Sequence, residues 1–112
     1  MLTPGDVVEL DLGAPAGSEA GLRRPGIVIT ATCVLRGNSN VVQVVPLTST
    51  VRDSCAEVLV EPDSLNGLVV VSAAQCQHLR SVAASRVISV IGNVGAIVLR
   101  QVRGTVATII DA

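Results

Sequence analysis

The side chains best suited to chemistry in this 112-residue chain are its arginines. All eight basic residues are Arg, and the net charge at pH 7 is −1. An Arg side chain offers a planar fork of donors that matches phosphate oxygens, although a GC-rich genome would also favour Arg over Lys. A site for nucleic acid must therefore be a local cluster of Arg rather than a broad basic surface. It also cannot stack bases on aromatic rings, since Phe, Tyr and Trp are absent.

The three cysteines and the single histidine offer the other chemistry in this chain. Cys33, Cys55 and Cys76 are widely spaced, and a structural zinc site would need all three to converge with His78, so we expect no metal site. We expect free thiols, buried as small apolar groups. His78 follows Cys76 by two residues and on a strand would share its face. A thiol–imidazole pair is the alternative to our interpretation of His78 as a half-buried strand residue.

The elements that must position these residues are mostly β-strands. Short stretches rich in Val and Ile alternate with Gly, Pro, Asn and Asp, a pattern typical of strands and turns. The predicted strands are Val7–Leu12, Pro25–Val34, Val41–Leu47, Glu57–Glu61, Leu68–Ser72 and Gln75–Val82 around an Ala-Ala break, and Val87–Ile91. Residues 13–24 are predicted to form a long loop, where functional residues often lie.

The last part of the chain predicts a helix. From Val94 onward, apolar residues recur at close to helical spacing, and Asn93 is a candidate N-cap. Five to seven strands followed by a helix predict a mainly β (α+β) fold, a small barrel closed by a C-terminal helix. We expect residues 1–112 to form one domain.

The hydropathy of the chain and its first residues indicate the expected cellular compartment. The mean hydropathy is +0.62, yet no apolar run approaches the roughly 20 residues that a membrane span needs. The first residues lack the basic and apolar regions of a signal peptide. We therefore expect a cytoplasmic protein that does not contact a membrane.

Four sequence segments carry a family resemblance. They are Gly5-Asp6-Val7-Val8, then Gly17-Ser18-Glu19 with Arg24-Pro25, then Val45-Pro46-Leu47-Thr48-Ser49, and finally Gln77-His78-Leu79-Arg80-Ser81-Val82. In this order and at these spacings the segments, which span nearly the whole chain, resemble the MazF/PemK family of toxin endoribonucleases.

The resemblance implies a fold, an activity and partners. The fold would be an SH3-like β-barrel that forms a homodimer. The activity would be cleavage of single-stranded mRNA at short sequences, without metal or cofactor. The protein would be the toxin of a toxin–antitoxin pair, and we expect its antitoxin to bind through an acidic, partly disordered tail.

The resemblance also implies the site residues. Arg24 and Thr48 would be catalytic, with Arg24 donating hydrogen bonds to the scissile phosphate and Thr48 bonding the same phosphate. Because the chain has one His and no Lys, a mechanism that uses two histidines of one subunit is impossible. The general base stays unassigned. The expected RNA contacts are Gly17, Ser18, Glu19, Arg23, Ser49, His78 and Arg80.

Three positions depart from the family pattern. Val8 stands where the family has Trp or Tyr, His78 where Gln is usual, and Thr30-Ala31-Thr32 where Asn-Asp often follows the second strand. We expect the first and third departures to weaken base contacts or substrate affinity.

Each site residue also has a purely structural interpretation. Thr48 could cap a turn, and Arg24 could be a solvated charge at the end of a loop. The ion pairs expected on this interpretation are Arg24 with Glu19, and Arg80 or Arg86 with Glu57 or Asp63.

Two other functions use the same fold. One is a barrel that has lost catalysis and acts as a binding partner. The other is a gyrase poison of the CcdB type, which binds through its C-terminal helix. A tail with a terminal bulky residue such as Trp would favour the poison, and Ile110-Asp111-Ala112 has none.

Overall fold

The computed structural model describes residues 1–13 and 23–112. The described residues form seven strands and two α-helices, with single turns of 3-10 helix at Cys76–His78 and Ala84–Arg86. The elements are β1 (Asp6–Asp11), β2 (Arg23–Val28), α1 (Thr32–Arg36), β3 (Val41–Thr48), β4 (Glu57–Val60), β5 (Ser72–Gln75), β6 (Arg80–Ala83), β7 (Val87–Asn93) and α2 (Gly95–Ile109).

The strands form one antiparallel sheet in the order β4-β5-β3-β2-β1-β7, with β6 also paired to β3. The long strand β3 pairs with β6 along its first half and with β5 at its end, where Thr48 lies opposite Ala73. The sheet therefore curls around β3 into a barrel-like fold that is not closed. The predicted mainly β fold with a C-terminal helix is confirmed.

The core lies on both faces of the sheet, which explains why the central strands are nearly continuous apolar runs. Alternate residues of one strand enter different clusters. One cluster packs under α2 and includes Val7, Ile27, Val45, Leu99 and Val102. The other packs under α1 and includes Val8, Val28, Leu35, Val44 and Val82.

Helix α2 is attached to the sheet by polar contacts as well as by its apolar face. The Arg103 guanidinium donates to the Ile29 carbonyl from Nε at 3.2 Å and from Nη2 at 2.9 Å. At the start of the helix, Asn93 Oδ1 accepts a hydrogen bond from the Gly95 N–H at 2.8 Å. Asn93 thus fulfils the predicted capping role, although the residue at the helix boundary is Val94.

The prediction of a strand over Pro25–Val34 is wrong in its second half. Strand β2 ends at Val28, and α1 begins at Thr32. The Ala31 carbonyl accepts from the N–H groups of Val34 and Leu35, and Leu35 is buried in the core. Burial of this one side chain outweighs the strand preference of the β-branched residues around it.

The segment around Ala73 and Ala74 also differs from its prediction. The Ala-Ala pair lies in the middle of β5 and is buried between β3 and β4, whereas Leu68–Val71 precede the strand. Small side chains suit this tightly packed position, so the pair continues the strand instead of breaking it.

Candidate active site

Arg24 lies near the start of β2, directly before Pro25. It pairs with Leu10 of β1, and its neighbour Arg23 pairs with Asp11. Arg23 is exposed, while Arg24 is half-buried. The two adjacent arginines therefore differ in exposure, although both line cavities of the sheet.

Thr48 is the last residue of β3, on the strand next to β2. The register pairs Gly26 with Pro46, and continuing it by two residues brings Arg24 opposite Thr48. Thr48 Oγ1 accepts a hydrogen bond from the Thr50 N–H at 3.1 Å. Because a hydroxyl can accept and donate at once, the Thr48 proton is left to donate to a ligand.

Arg24 and Thr48 line one cavity of about 350 Å³, here called the Arg24 cavity. Arg23 and Ser49 line it too, so four residues predicted from the sequence are brought together. Its other walls are apolar or small: Pro25, Leu47, Gly67, Leu68, Val69, Val70, Ser72 and Ile91. A cationic cavity with hydroxyl groups at its edge can bind a phosphate.

One wall of the Arg24 cavity is held by the buried residue Asn66. Its Nδ2 donates to the Glu61 carbonyl, and its Oδ1 accepts from the Asp63 and Leu68 N–H groups. Gly67 follows with φ +72, and a Cβ at this residue would clash with the Ile91 carbonyl oxygen. Close packing on β7 thus requires glycine at this position.

A second cavity, of about 280 Å³, lies on another side of Arg24 and is here called the His78 cavity. Its lining residues are Leu12, Arg24, Pro46, Gln75, His78 and Arg80. The predicted RNA contacts His78 and Arg80 are therefore brought together with Arg24. Since Arg24 lines both cavities, a ligand held by its guanidinium could extend from one into the other.

The remaining predicted contacts, Gly17, Ser18 and Glu19, lie in residues 14–22, outside the described residues. The proposed ion pair of Arg24 with Glu19 lies outside them for the same reason.

Glu57 and Asp63, the acidic residues expected to pair with Arg80 or Arg86 on the structural interpretation, make other hydrogen bonds. Glu57 Oε2 accepts from Gln77 Nε2 at 2.7 Å, and Asp63 Oδ1 accepts from backbone N–H groups of its own turn. Arg86 donates to the Asp11 carbonyl instead.

The two departures expected to weaken RNA contacts have structural roles. Val8 is fully buried in the core, so its side chain does not reach either cavity. Thr30 is also buried, and its hydroxyl donates to Gln43 Oε1 and accepts from the Gln43 N–H. The expectation that these departures weaken base contacts or substrate affinity stays a prediction.

The thiol–imidazole alternative is wrong. Cys76 and His78 lie in a 3-10 turn, with Cys76 buried and His78 exposed. Burial raises the pKa of the Cys76 thiol to about 11, and its Sγ lies 3.8 Å from the Val102 carbonyl oxygen. A protonated, enclosed thiol is not a nucleophile. His78 is thus not the half-buried strand residue expected, and Cys33 and Cys55 are exposed rather than buried.

Two polar lining residues were missed from the sequence. Glu9 lines a small cavity with Arg23, Arg24, Pro25 and Ile91, and Gln75 lines the His78 cavity. Gln75 carries a signal that could have been noticed, since it is the one amide in the otherwise small and apolar stretch Ala73–Cys76.

In the described part of the chain, no group of three or more His, Cys, Asp or Glu side chains is placed to hold a metal ion. No helix among those residues is long and apolar enough to cross a membrane.

Comparison with known proteins gives consistent matches. Endoribonuclease MazF9 of Mycobacterium tuberculosis is 34% identical over 108 residues, covering 90% of this chain and 89% of the relative. The MazE-MazF structure (Form-II) from Deinococcus radiodurans is 30% identical with a TM-score of 0.77, over 96% of this chain and 93% of that one. A mycobacterial endoribonuclease in complex with its cognate antitoxin shares the fold, with 19% identity, a TM-score of 0.80 and coverage of 99% and 96%.

A family model describing the PemK-like, MazF-like toxin of type II toxin–antitoxin systems matches residues 3–110. This match covers nearly the whole chain and includes both strands that carry Arg24 and Thr48. The chain belongs to the PemK-like, MazF-like family of toxins of type II toxin–antitoxin systems.

Proposed function

We propose that this chain is a toxin endoribonuclease that cuts single-stranded mRNA in the Arg24 cavity, without a metal ion or cofactor. The observation that carries the proposal is the convergence of Arg24, Thr48 and Ser49 in one cavity, from two neighbouring strands. The relative MazF9 is named an endoribonuclease, which supports the same activity here.

The chemistry follows from the groups that face the phosphate. Arg24 donates two hydrogen bonds to its non-bridging oxygens, and the Thr48 hydroxyl donates a third. These donors stabilise the negative charge that develops as the 2′-OH attacks phosphorus and the 5′-oxygen leaves. The products are a 2′,3′-cyclic phosphate and a 5′-OH end. A guanidinium stays protonated at neutral pH, so Arg24 acts through its charge and its protons and not as the general base.

The RNA runs from the Arg24 cavity into the His78 cavity. Arg23 and Ser49 contact it at the first cavity, and His78 and Arg80 at the second. Gly17, Ser18 and Glu19 are further proposed RNA contacts, as the family resemblance implies. With few Arg contacts and no aromatic ring, binding is weak and falls steeply as salt increases.

The proposed partners follow from the same charges. Solved MazE-MazF and endoribonuclease–antitoxin structures support a cognate antitoxin for this chain. An acidic, partly disordered antitoxin tail would place carboxylates where RNA places phosphates, at Arg24. The proposed site of action is the cytoplasm, and the proposed assembly is a homodimer.

Three variants, tested with one long RNA in EDTA, separate catalysis from binding. Arg24→Ala is expected to cut about a hundred to a thousand times more slowly than the parent, because it loses donors aimed at the developing charge. Arg24→Lys is also expected to fail, since an ammonium group cannot form the paired contact. Arg23→Ala, one residue away, changes affinity and its salt dependence only. Mapping of the RNA ends reports the cleavage sites.

The outcomes separate the candidate functions. If Arg24→Ala cut as fast as the parent, the assignment of the active site would be wrong. If the parent bound RNA but cut nothing, the barrel would be a binding protein that has lost catalysis.

A further inference from the structure

The amide of Gln75 has an environment that the fold does not explain. Gln75 is the last residue of β5 and is 4% exposed, yet its Oε1 is buried with no hydrogen-bond partner among the described residues. A buried polar atom without a partner costs stability. An apolar side chain of the same length would fill this position without that cost.

Gln75 is part of the wall of the His78 cavity, together with Arg24, His78 and Arg80. Among the described residues, two guanidinium groups and no carboxylate line this cavity, so its charge suits a ligand that carries phosphates. Arg24 also lines the other cavity, the Arg24 cavity, where the scissile phosphate is proposed to bind. The group that occupies the His78 cavity is then the nucleotide next to that phosphate.

We propose that Gln75 reads the base of this neighbouring nucleotide and so sets one position of the cleavage sequence. A terminal amide has one acceptor and one donor group side by side. The edges of unstacked bases in single-stranded RNA also carry donors and acceptors, and their arrangement differs from base to base, so a fixed amide favours some bases over others. Rotation about the last side-chain torsion turns either group toward the cavity. The bound base would supply the hydrogen-bond partner that Gln75 lacks. The inference rests on the proposed function, because RNA is the ligand.

The test compares Gln75→Met with the parent by mapping every cleavage site in one long RNA. Met keeps the length of the side chain and removes both hydrogen-bonding groups. The preference for the favoured base is expected to fall by about tenfold or more at one position of the cleavage sequence, while preferences at the other positions stay. Gln77→Met is the matched control, because Gln77 bonds Glu57 and does not line the cavity.

A role in folding alone would give a different result. It would slow cleavage evenly at all sites and lower the melting temperature, with the base preferences unchanged, and this result would overturn the proposal. Gln75→Leu, which has a similar volume, replaces Gln75→Met if the latter does not fold.

An RNA-binding experiment tests this proposal independently of the proposed cleavage activity. Short RNAs that carry a 2′-O-methyl group at the cut site, and that differ in one base, cannot be cleaved by 2′-OH attack. Discrimination among them that the parent shows and Gln75→Met loses supports the role of Gln75 even if the parent cuts nothing. Equal discrimination by both proteins would overturn it.

Discussion

At the scale of single residues, the buried thiol of Cys76 ties stability to pH. Burial raises the pKa of this thiol from 9.0 to about 11. Between these values the unfolded chain loses the proton and the folded chain keeps it, so the free energy of unfolding falls as pH rises. Below pH 9 both states hold the proton and this effect is absent. Few other groups titrate in this range, since the chain has neither Lys nor Tyr.

We expect urea denaturation of the reduced protein to show a falling midpoint from about pH 9 to about pH 11. The background for this measurement is Cys33→Ser with Cys55→Ser, which removes the two exposed thiols. Adding Cys76→Ala lowers stability at neutral pH but flattens the curve over this range. A midpoint that fell equally in the Cys76→Ala protein would assign the effect to another group.

The same scale shows what could be predicted from residue types. The assignment of Arg24 and Thr48 comes from the family resemblance and not from residue type alone, and both side chains line one cavity. Val8 lies in the core among other apolar side chains. Gln75 was missed because its unsatisfied oxygen exists only once the strands have assembled.

At the scale of elements, the contact of Arg103 with the end of β2 holds α2 on the sheet. The guanidinium donates two hydrogen bonds to the carbonyl of Ile29, the residue after the last one of β2. Arg103→Met keeps most of the apolar stem and is expected to destabilise the fold by about 1.5 to 3 kcal/mol, the usual range for hydrogen bonds to a charged group. Chemical denaturation measures this loss.

Arg100→Met, on the exposed side of the same helix, is the control and is expected to change stability by less than about 0.5 kcal/mol. Equal losses in the two variants would mean that the contact with Ile29 contributes nothing and that helix propensity or net charge is responsible.

Elements were predictable where pattern and packing agree. Helix α2 and most strands follow from apolar spacing, because each presents an apolar face to the core. The predicted strand extends to Val34 because the β-branched residues favour one, but Thr32–Arg36 form a helix that buries Leu35 in the core. Residues 68–71 were predicted as strand for their valines, yet Val69 and Val70 line the rim of the Arg24 cavity.

At the scale of the whole molecule, the apolar residues left outside the core predict a homodimer. Strand β7 lies at one end of the sheet order and exposes Ile88, Val90 and Ile91. Val69, at the rim of the Arg24 cavity with Ile91, is 90% exposed. A long apolar edge strand tends to aggregate unless it is covered. A second copy of the chain, related by twofold symmetry, would cover this face with the same residues.

Sedimentation at micromolar concentration is therefore expected to give about twice the chain mass of 11.4 kDa. Val90→Lys places a charge on β7, and twofold symmetry buries it twice, so we expect dimerisation to weaken by about a hundredfold or more. Val34→Lys, on α1 and similarly exposed, is the control and should leave the dimer intact. A parent that sediments as a monomer would refute the dimer. A Val90→Lys protein that dimerises like the parent would show that β7 is not part of the interface. Because Ile91 lines the Arg24 cavity, a dimer through β7 would also place the two Arg24 cavities beside the interface.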